Sequence, residues 1–157
     1  LEKLKINHQE KFLCFSLFQL IVKYLKNIRK LSIPLSIFDA NSIERIQELE
    51  KLECLGFHNQ YFSKEIFFQV LSHCKSLKKF TLFNIEQSVK KLPSENFPIV
   101  SPLEVLKIQD CSKICLNEDF IDWLAPQVSN TLKHVNFDVN KNITNACLIK
   151  LVDRCPN

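Results

Sequence analysis

Apolar residues return along the chain as a six-residue figure, apolar-x-x-apolar-x-apolar. Its copies begin at Leu1 (LEKLKI), Ile28 (IRKLSI), Leu52 (LECLGF), Leu77 (LKKFTL), Leu103 (LEVLKI) and Leu132 (LKHVNF). The interval between successive starts barely changes, at about 25 residues, the length of one repeated supersecondary unit. In the third copy Leu49 offers a competing register, and Leu52 is preferred because it keeps the spacing even. The fourth and sixth positions of each copy follow the period-2 rule of a strand with one buried face. Most strands are followed by a polar cap residue and an apolar helical stripe. Ser63 precedes Ile66, Phe67, Val70 and Leu71; Asn117 precedes Phe120, Ile121 and Leu124; Thr144 precedes Leu148, Leu151 and Val152. Serine, asparagine and threonine at such places accept hydrogen bonds from the free N–H groups of a first helical turn.

One strand and one returning helix per copy imply parallel strands, because a tight turn cannot join them. Residues 10–26 carry the longest predicted helix. Phe12, Leu13, Phe15, Leu17, Leu20, Ile21, Tyr24 and Leu25 are too many for one stripe, so this helix is expected to be buried. In the fourth copy Pro93, Pro98 and Pro102 forbid a long helix. A short helix over 86–91 and then an extended loop are expected there.

A period of about 25 residues with this content is that of a leucine-rich repeat. The fold expected is therefore α/β, a ribonuclease-inhibitor-like horseshoe of about six repeats forming one domain over residues 1–157. Strands spaced about 4.8 Å apart and helices about 10 Å apart bend such a stack, with strands on the concave face and helices on the convex one.

The sixth copy, LKHVNFDVNKNITNACLIKLVDRCPN, resembles the cysteine-containing leucine-rich repeat. Val135 and Phe137 stand at its apolar strand places, Ile143-Thr144 at its I-T pair, and Leu148, Leu151 and Cys155-Pro156 follow in register. Asn145 replaces its aspartate, and Asn140 stands where cysteine is expected. Cys111 and Cys74 fill corresponding cysteine places in the fifth and third copies. Such repeats are characteristic of F-box leucine-rich-repeat proteins, substrate receptors of SCF-type ubiquitin ligases. The resemblance implies substrate capture for ubiquitination, with the ligase adaptor bound through a region outside these residues. The chain opens on a repeat's first leucine and stops after Cys-Pro-Asn, which reads as a fragment of a longer array with apolar ends prone to self-association.

Composition narrows the alternatives. A single glycine, Gly56, rules out both glycine-rich phosphate loops, and with them the usual nucleotide-dependent enzymes. The net charge of +4 is too mild to indicate nucleic acid. No apolar run approaches the roughly 20 residues of a membrane span. Seven cysteines without a C-x-x-C pair read as buried thiols of a reducing compartment, cytoplasmic or nuclear. The Asn142-Ile143-Thr144 sequon reads as a coincidence of the repeat.

Strand positions alternating with the buried ones are expected to face the concavity and to contact a protein partner. They include Lys3, Lys5 and Asn7; Lys30, Ser32 and Pro34; Cys54, Gly56 and His58; Lys79, Thr81 and Phe83. Val105, Lys107 and Gln109, then His134, Asn136 and Asp138, complete the set. Five lysines against one acid, Asp138, make this face basic and suited to acidic or phosphorylated segments. The alternative is that the lysines merely solvate an exposed sheet. Glu2, Glu53 and Glu104 stand at the neighbouring rim position. Phe83 either anchors a partner or folds under the proline-rich segment.

No cofactor is implied. Cys111 and Cys115 with His134 form a weaker set than recognised zinc arrangements. His73 beside Cys74 is a poor nucleophile–base pair, since adjacent helical residues point about 100° apart. Trp123 reads as core. The leading function is thus a non-catalytic protein-interaction module of an F-box-type receptor. A regulator or inhibitor scaffold unrelated to ubiquitination is the alternative, and a cysteine- or metal-dependent enzyme the remote one.

Overall fold

The computed structural model describes residues 1–6, 16–34, 40–60, 64–85, 98–111, 117–140 and 143–156. The fold class is α/β. The elements are β1 (Lys3–Lys5), α1 (Ser16–Tyr24), β2 (Lys30–Pro34), α2 (Ala40–Ile46), β3 (Cys54–Gln60), α3 (Lys64–His73), β4 (Lys79–Ile85), β5 (Val105–Gln109), α4 (Glu118–Val128), β6 (His134–Asn136) and α5 (Asn145–Arg154). Among the described residues the strands form one all-parallel sheet, ordered β1-β2-β3-β4-β5-β6 and not closed into a barrel.

The strand register reproduces the spacing of the apolar figure. Lys3 pairs with Lys30, Lys30 with Cys54, Cys54 with Lys79, Lys79 with Val105 and Val105 with His134. Each strand therefore meets the same position of the next copy, and Leu52, not Leu49, opens the third. Before each of the first five strands one carbonyl accepts two N–H groups of the following copy. The Glu2 carbonyl takes Arg29 and Lys30, Arg29 takes Glu53 and Cys54, Glu53 takes Lys78 and Lys79, and this continues to Lys133 and His134 on Glu104, all at 2.8–3.0 Å.

Crossovers of a single hand in a sheet of sequential order put the helices on one side. Burial agrees with that arrangement. Leu31, Leu55, Phe80 and Leu106 at the fourth position, and Ile33, Phe57, Leu82 and Ile108 at the sixth, are buried, while the alternating positions other than Pro34 are half-buried or exposed. The outer strands bury less: Leu4, Ile6, Val135 and Phe137 are half-buried. Helix α1 packs on α2, α2 on α3, and α4 on α5.

Between α3 and α4 the core is aromatic. Phe67 is its hub, with ring centroids 5.5 Å from Phe68, 5.5 Å from Phe80, 5.7 Å from Phe120 and 6.2 Å from Trp123. Trp123 thus takes the packing role expected of it, edge-on to Phe68 at 4.2 Å. The segment entering β5 ties both helices. Ser101 places its hydroxyl 2.8 Å from the Leu71 carbonyl and 2.7 Å from that of Cys74, and Ile99 N–H donates to Gln127 Oε1 at 2.8 Å. The Ser101 contacts satisfy carbonyls that the end of α3 leaves free.

Two caps lie where the sequence places them. Asn117 accepts from Phe120 N–H (3.1 Å) and Thr144 from Cys147 N–H (3.3 Å). Ser63, the segment 86–97, Phe12, Leu13, Phe15, Asn7, Cys115 and Asn142 lie outside the described residues.

Two helical stripes differ from expectation. In α1, Phe18, Ile21 and Val22 are buried, but Leu20 and Tyr24 are exposed. In α5, Cys147 and Leu151 face the core, whereas Leu148 is 43% exposed and Val152 69%. Lys150 reaches Glu118 (2.7 Å) and Asp122 (3.1 Å) of α4, and Arg154 reaches Asp122 (2.9 Å). Cys147 and Leu151 complete the packing of α5, and the Leu148–Val152 side is left exposed.

Candidate functional site: the open face of the sheet

The register sets the expected partner-facing residues in straight rows across the strands. One row runs Lys3, Lys30, Cys54, Lys79, Val105, His134, and the next runs Lys5, Ser32, Gly56, Thr81, Lys107, Asn136. A third holds Pro34, His58, Phe83 and Gln109. With strands about 4.8 Å apart, Lys30 and Lys79 start from backbones about 10 Å apart, one on each side of Cys54.

Over the first four strands this face is hollowed into an open cavity of about 700 Å³. Lys3, Lys5, Lys30 and Lys79 line it, Gly56 lies in its floor, and Phe83, 48% exposed, stands at its edge. Among the described residues no carboxylate lines it. Among the described residues none of these four lysines makes an ion pair. Phe83 is 48% exposed, and residues 86–97 of the proline-rich segment that the other reading invokes lie outside the described residues.

Beyond β4 the face changes character. Gln109 Nε2 donates to Asp138 Oδ2 at 3.3 Å, and Asn136 Oδ1 accepts the Asp138 N–H at 2.9 Å. These polar groups are engaged with one another, and an acid stands among them. Lys107 is half-buried and His134 exposed, and both lie outside the cavity.

Two residues in the third row take part in the fold itself, although His58 also lines the cavity. Pro34 is buried rather than presented to a partner. As a proline it has no N–H for the ladder. In a parallel ladder that N–H would meet the Ile6 carbonyl, since Ile6 N–H donates to Ser32 on the same strand at 2.9 Å. His58 fills the gap: its Nε2–H reaches across Pro34 and donates to the Ile6 carbonyl at 2.9 Å. Burial pushes the His58 pKa down, against an upward pull from the Ile6 hydrogen bond and with a further downward push from Lys5. His58 is thus a clamp between β1 and β3. The signal was legible as a proline at a strand position, but the partner that replaces its N–H is set by the third dimension.

The rim holds what the sequence reading missed. Second positions of the copies run Glu2, Arg29, Glu53, Lys78, Glu104, Lys133, alternating in sign across the whole sheet. Arg29 meets Glu53 at 2.6 Å and Lys133 meets Glu104 at 3.1 Å. The Arg29 hydrogen bond holds the Glu53 carboxyl below its ordinary range. Glu53 and Glu104 are therefore paired with rim cations, and the lysines of the open face make no ion pair among the described residues. Aligning the copies by their second position carries this signal in the sequence alone.

The thiol chemistry weighed above finds little geometry. Cys74 is buried, and burial pushes its thiol up to about 12, the opposite of nucleophile activation. His73 Nδ1–H donates back to the Gln69 carbonyl at 2.7 Å. Cys111 is buried and its thiol donates to Gln109 O at 3.1 Å, while His134 stands exposed on the open face. Among the described residues no three His, Cys, Asp or Glu side chains cluster as metal ligands would. No described helix is long and apolar enough to cross a membrane. Neither a scan against protein-family models nor a search of curated proteins finds a match for this chain.

Proposed function

We propose that this chain is a leucine-rich-repeat protein-interaction module whose open sheet face captures an anionic segment of a partner protein. Its work is recognition without chemistry of its own. The observation that carries this reading is the lysine-lined cavity over β1–β4, which among the described residues has no carboxylate in its walls and no ion pair at its lysines. Unpaired like charges around a hollow repel one another, and an opposite charge from outside relieves that repulsion. The strand register at the repeat spacing supports the repeat assignment, and the I-T and C-P features of the sixth copy support the F-box-type subclass. On that basis the biological role is substrate recognition for a ubiquitin ligase, in the cytoplasm or nucleus.

The test is affinity capture of the full-length protein beside a variant carrying Lys5→Glu, Lys30→Glu and Lys79→Glu. The expected result is a ligase adaptor in both captures and a bound substrate lost only from the variant. A substrate lost without any adaptor would favour the regulator or inhibitor scaffold. A partner set unchanged by the three reversals would overturn the assignment of the binding face.

A further inference from the structure

Among the described residues, the large apolar side chains left open to solvent gather at the two ends of the stack. Leu1, Leu20 and Tyr24 belong to the first copy and Val139, Leu148, Ile149 and Val152 to the sixth, with Phe83 and Val100 between them. The same ends carry the edges of the sheet, β1 and β6, each paired on one side among the described residues. Lys150 and Arg154 of α5 reach α4 and so face the preceding copy. Leu148 and Val152, each two residues from Lys150, point about 200° away from it. They face the side where a following helix would pack. Helix α1 ends as α5 does: Leu25 N–H donates to the Ile21 carbonyl, and Cys155 N–H to that of Leu151. This match sets Leu20 and Tyr24 at the places of Lys150 and Arg154, on the side where a preceding helix would pack.

We propose that these ends are complementary docking faces, and that the tail of one copy of the chain (β6 and α5) adds to the head (β1 and α1) of a second copy. In that register β6 extends the parallel ladder into β1 of the second copy. The Lys133 carbonyl takes the Glu2 and Lys3 N–H groups there, as the Glu104 carbonyl takes those of Lys133 and His134. Half-buried Val135 and Phe137 meet half-buried Leu4 and Ile6, and Leu148, Ile149 and Val152 pack on Leu20 and Tyr24. The apolar layer then runs on without a break. Charge selects this polarity. The rim alternates in sign from Glu2 to Lys133, so a basic end meets an acidic one and the alternation continues. On the open face, His134 and Asn136 come beside Lys3 and Lys5, with no lysine among the incoming side chains. Head against head would instead pair two β1 strands antiparallel, with Lys3 opposite Lys5, and like charges oppose that contact. A heterologous contact leaves a free head and a free tail after every addition, so growth does not stop at a dimer. These end faces are separate from the open face and its ligand.

Sedimentation velocity of the full-length protein over a range of concentrations tests this. The parent is expected to give species that grow past the dimer as concentration rises. Tyr24→Glu blocks the head and Val152→Glu the tail, at sites 66% and 69% exposed, so both variants are expected to keep the parent's denaturant midpoint. Each alone should assemble roughly 10-fold or more weakly, because a carboxylate is buried without a partner at the contact. Mixed in equal amounts, the two should form a single dimer that grows no further, joined through the intact tail of one and the intact head of the other. A parent that stays monomeric at every concentration would overturn the proposal, as would growth that ends at a closed dimer. Assembly of Tyr24→Glu alone would show tails meeting tails, and assembly of Val152→Glu alone would show heads meeting heads. Either result, or a mixture without a dimer, overturns the head-to-tail contact.

Discussion

The open face of the sheet is one surface in two halves. Over β1–β4, four lysines surround a hollow that, among the described residues, has no acid in its walls and no ion pair at its lysines. Over β5 and β6, in the same rows, Gln109, Asn136 and Asp138 bond to one another and leave little to offer an incoming ligand. The halves share register and strand geometry, so the difference lies in side chains alone. Polar groups that satisfy each other locally contribute to the fold, whereas those held apart by a small floor residue stay available for binding. The residues assigned to partner binding from the sequence are thereby unequal. Lys3, Lys5, Lys30, Ser32, Lys79, Thr81 and Phe83 line the hollow, as does His58, which is already engaged as a clamp. Lys107, Gln109, His134 and Asn136 lie beyond it.

The largest effect that separates the halves concerns binding. Reversing Lys5, Lys30 and Lys79 to glutamate should weaken capture of an anionic partner about 100-fold or more, with a strong salt dependence in the parent protein. Reversing Lys107 and His134 together should change it less than about 3-fold, since both lie more than a strand from the Gly56 floor. Titration calorimetry at two salt concentrations distinguishes the cases. Equal losses from the two sets would erase the distinction.

Stability sharpens the same contrast. Within the first half, His58→Ala leaves the Ile6 carbonyl without its donor beside Pro34 and should cost about 1 kcal/mol in denaturant unfolding. The pH dependence follows from the depressed pKa. Above the unfolded value near 6.5 His58 is neutral in both states and its contribution is complete. As pH falls from there towards the lower folded value, the unfolded chain takes up the proton first and stability declines. The decline should be smaller in His58→Ala, and an identical pH profile would refute the clamp.

In the second half, strain offers the opposite sign. Asn84, Asp110 and Val139 each stand two residues after the sixth position of their copies (Leu82, Ile108 and Phe137), with φ between 53° and 59°. Asparagine and aspartate tolerate this left-handed conformation, and a β-branched valine does not. Val139 is also 66% exposed, so little burial would be lost. Val139→Asn should therefore stabilise the protein by about 1 kcal/mol, seen as a higher denaturant midpoint with an unchanged slope.

The smallest effect belongs to the rim. Arg29→Gln removes an exposed ion pair with Glu53, and neither partner capture nor the thermal midpoint should move beyond scatter. A clear loss of binding would mean that the rim cations, and not the unpaired face, carry the recognition.

Much of the fold was legible because the apolar figure is periodic, and a period converts directly into register. The offsets between Leu1, Ile28, Leu52, Leu77, Leu103 and Leu132 are the offsets at which the strands pair. The caps Asn117 and Thr144 were legible for a local reason, since a side chain that bonds within its own first turn needs no distant partner. Membership of the open face was legible from alternation alone. Tertiary structure decided what alternation cannot weigh. It tied His58 to Ile6 across Pro34, a proline from the preceding copy, and it left Leu148 and Val152 of α5 exposed while Lys150 and Arg154 pair with α4. It also paired the rim charges while leaving the face lysines alone. Sequence assigned each residue to a side of the sheet, because backbone geometry repeats locally. Which of those residues remained free depended on side chains a whole repeat away, brought within reach only when the strands paired.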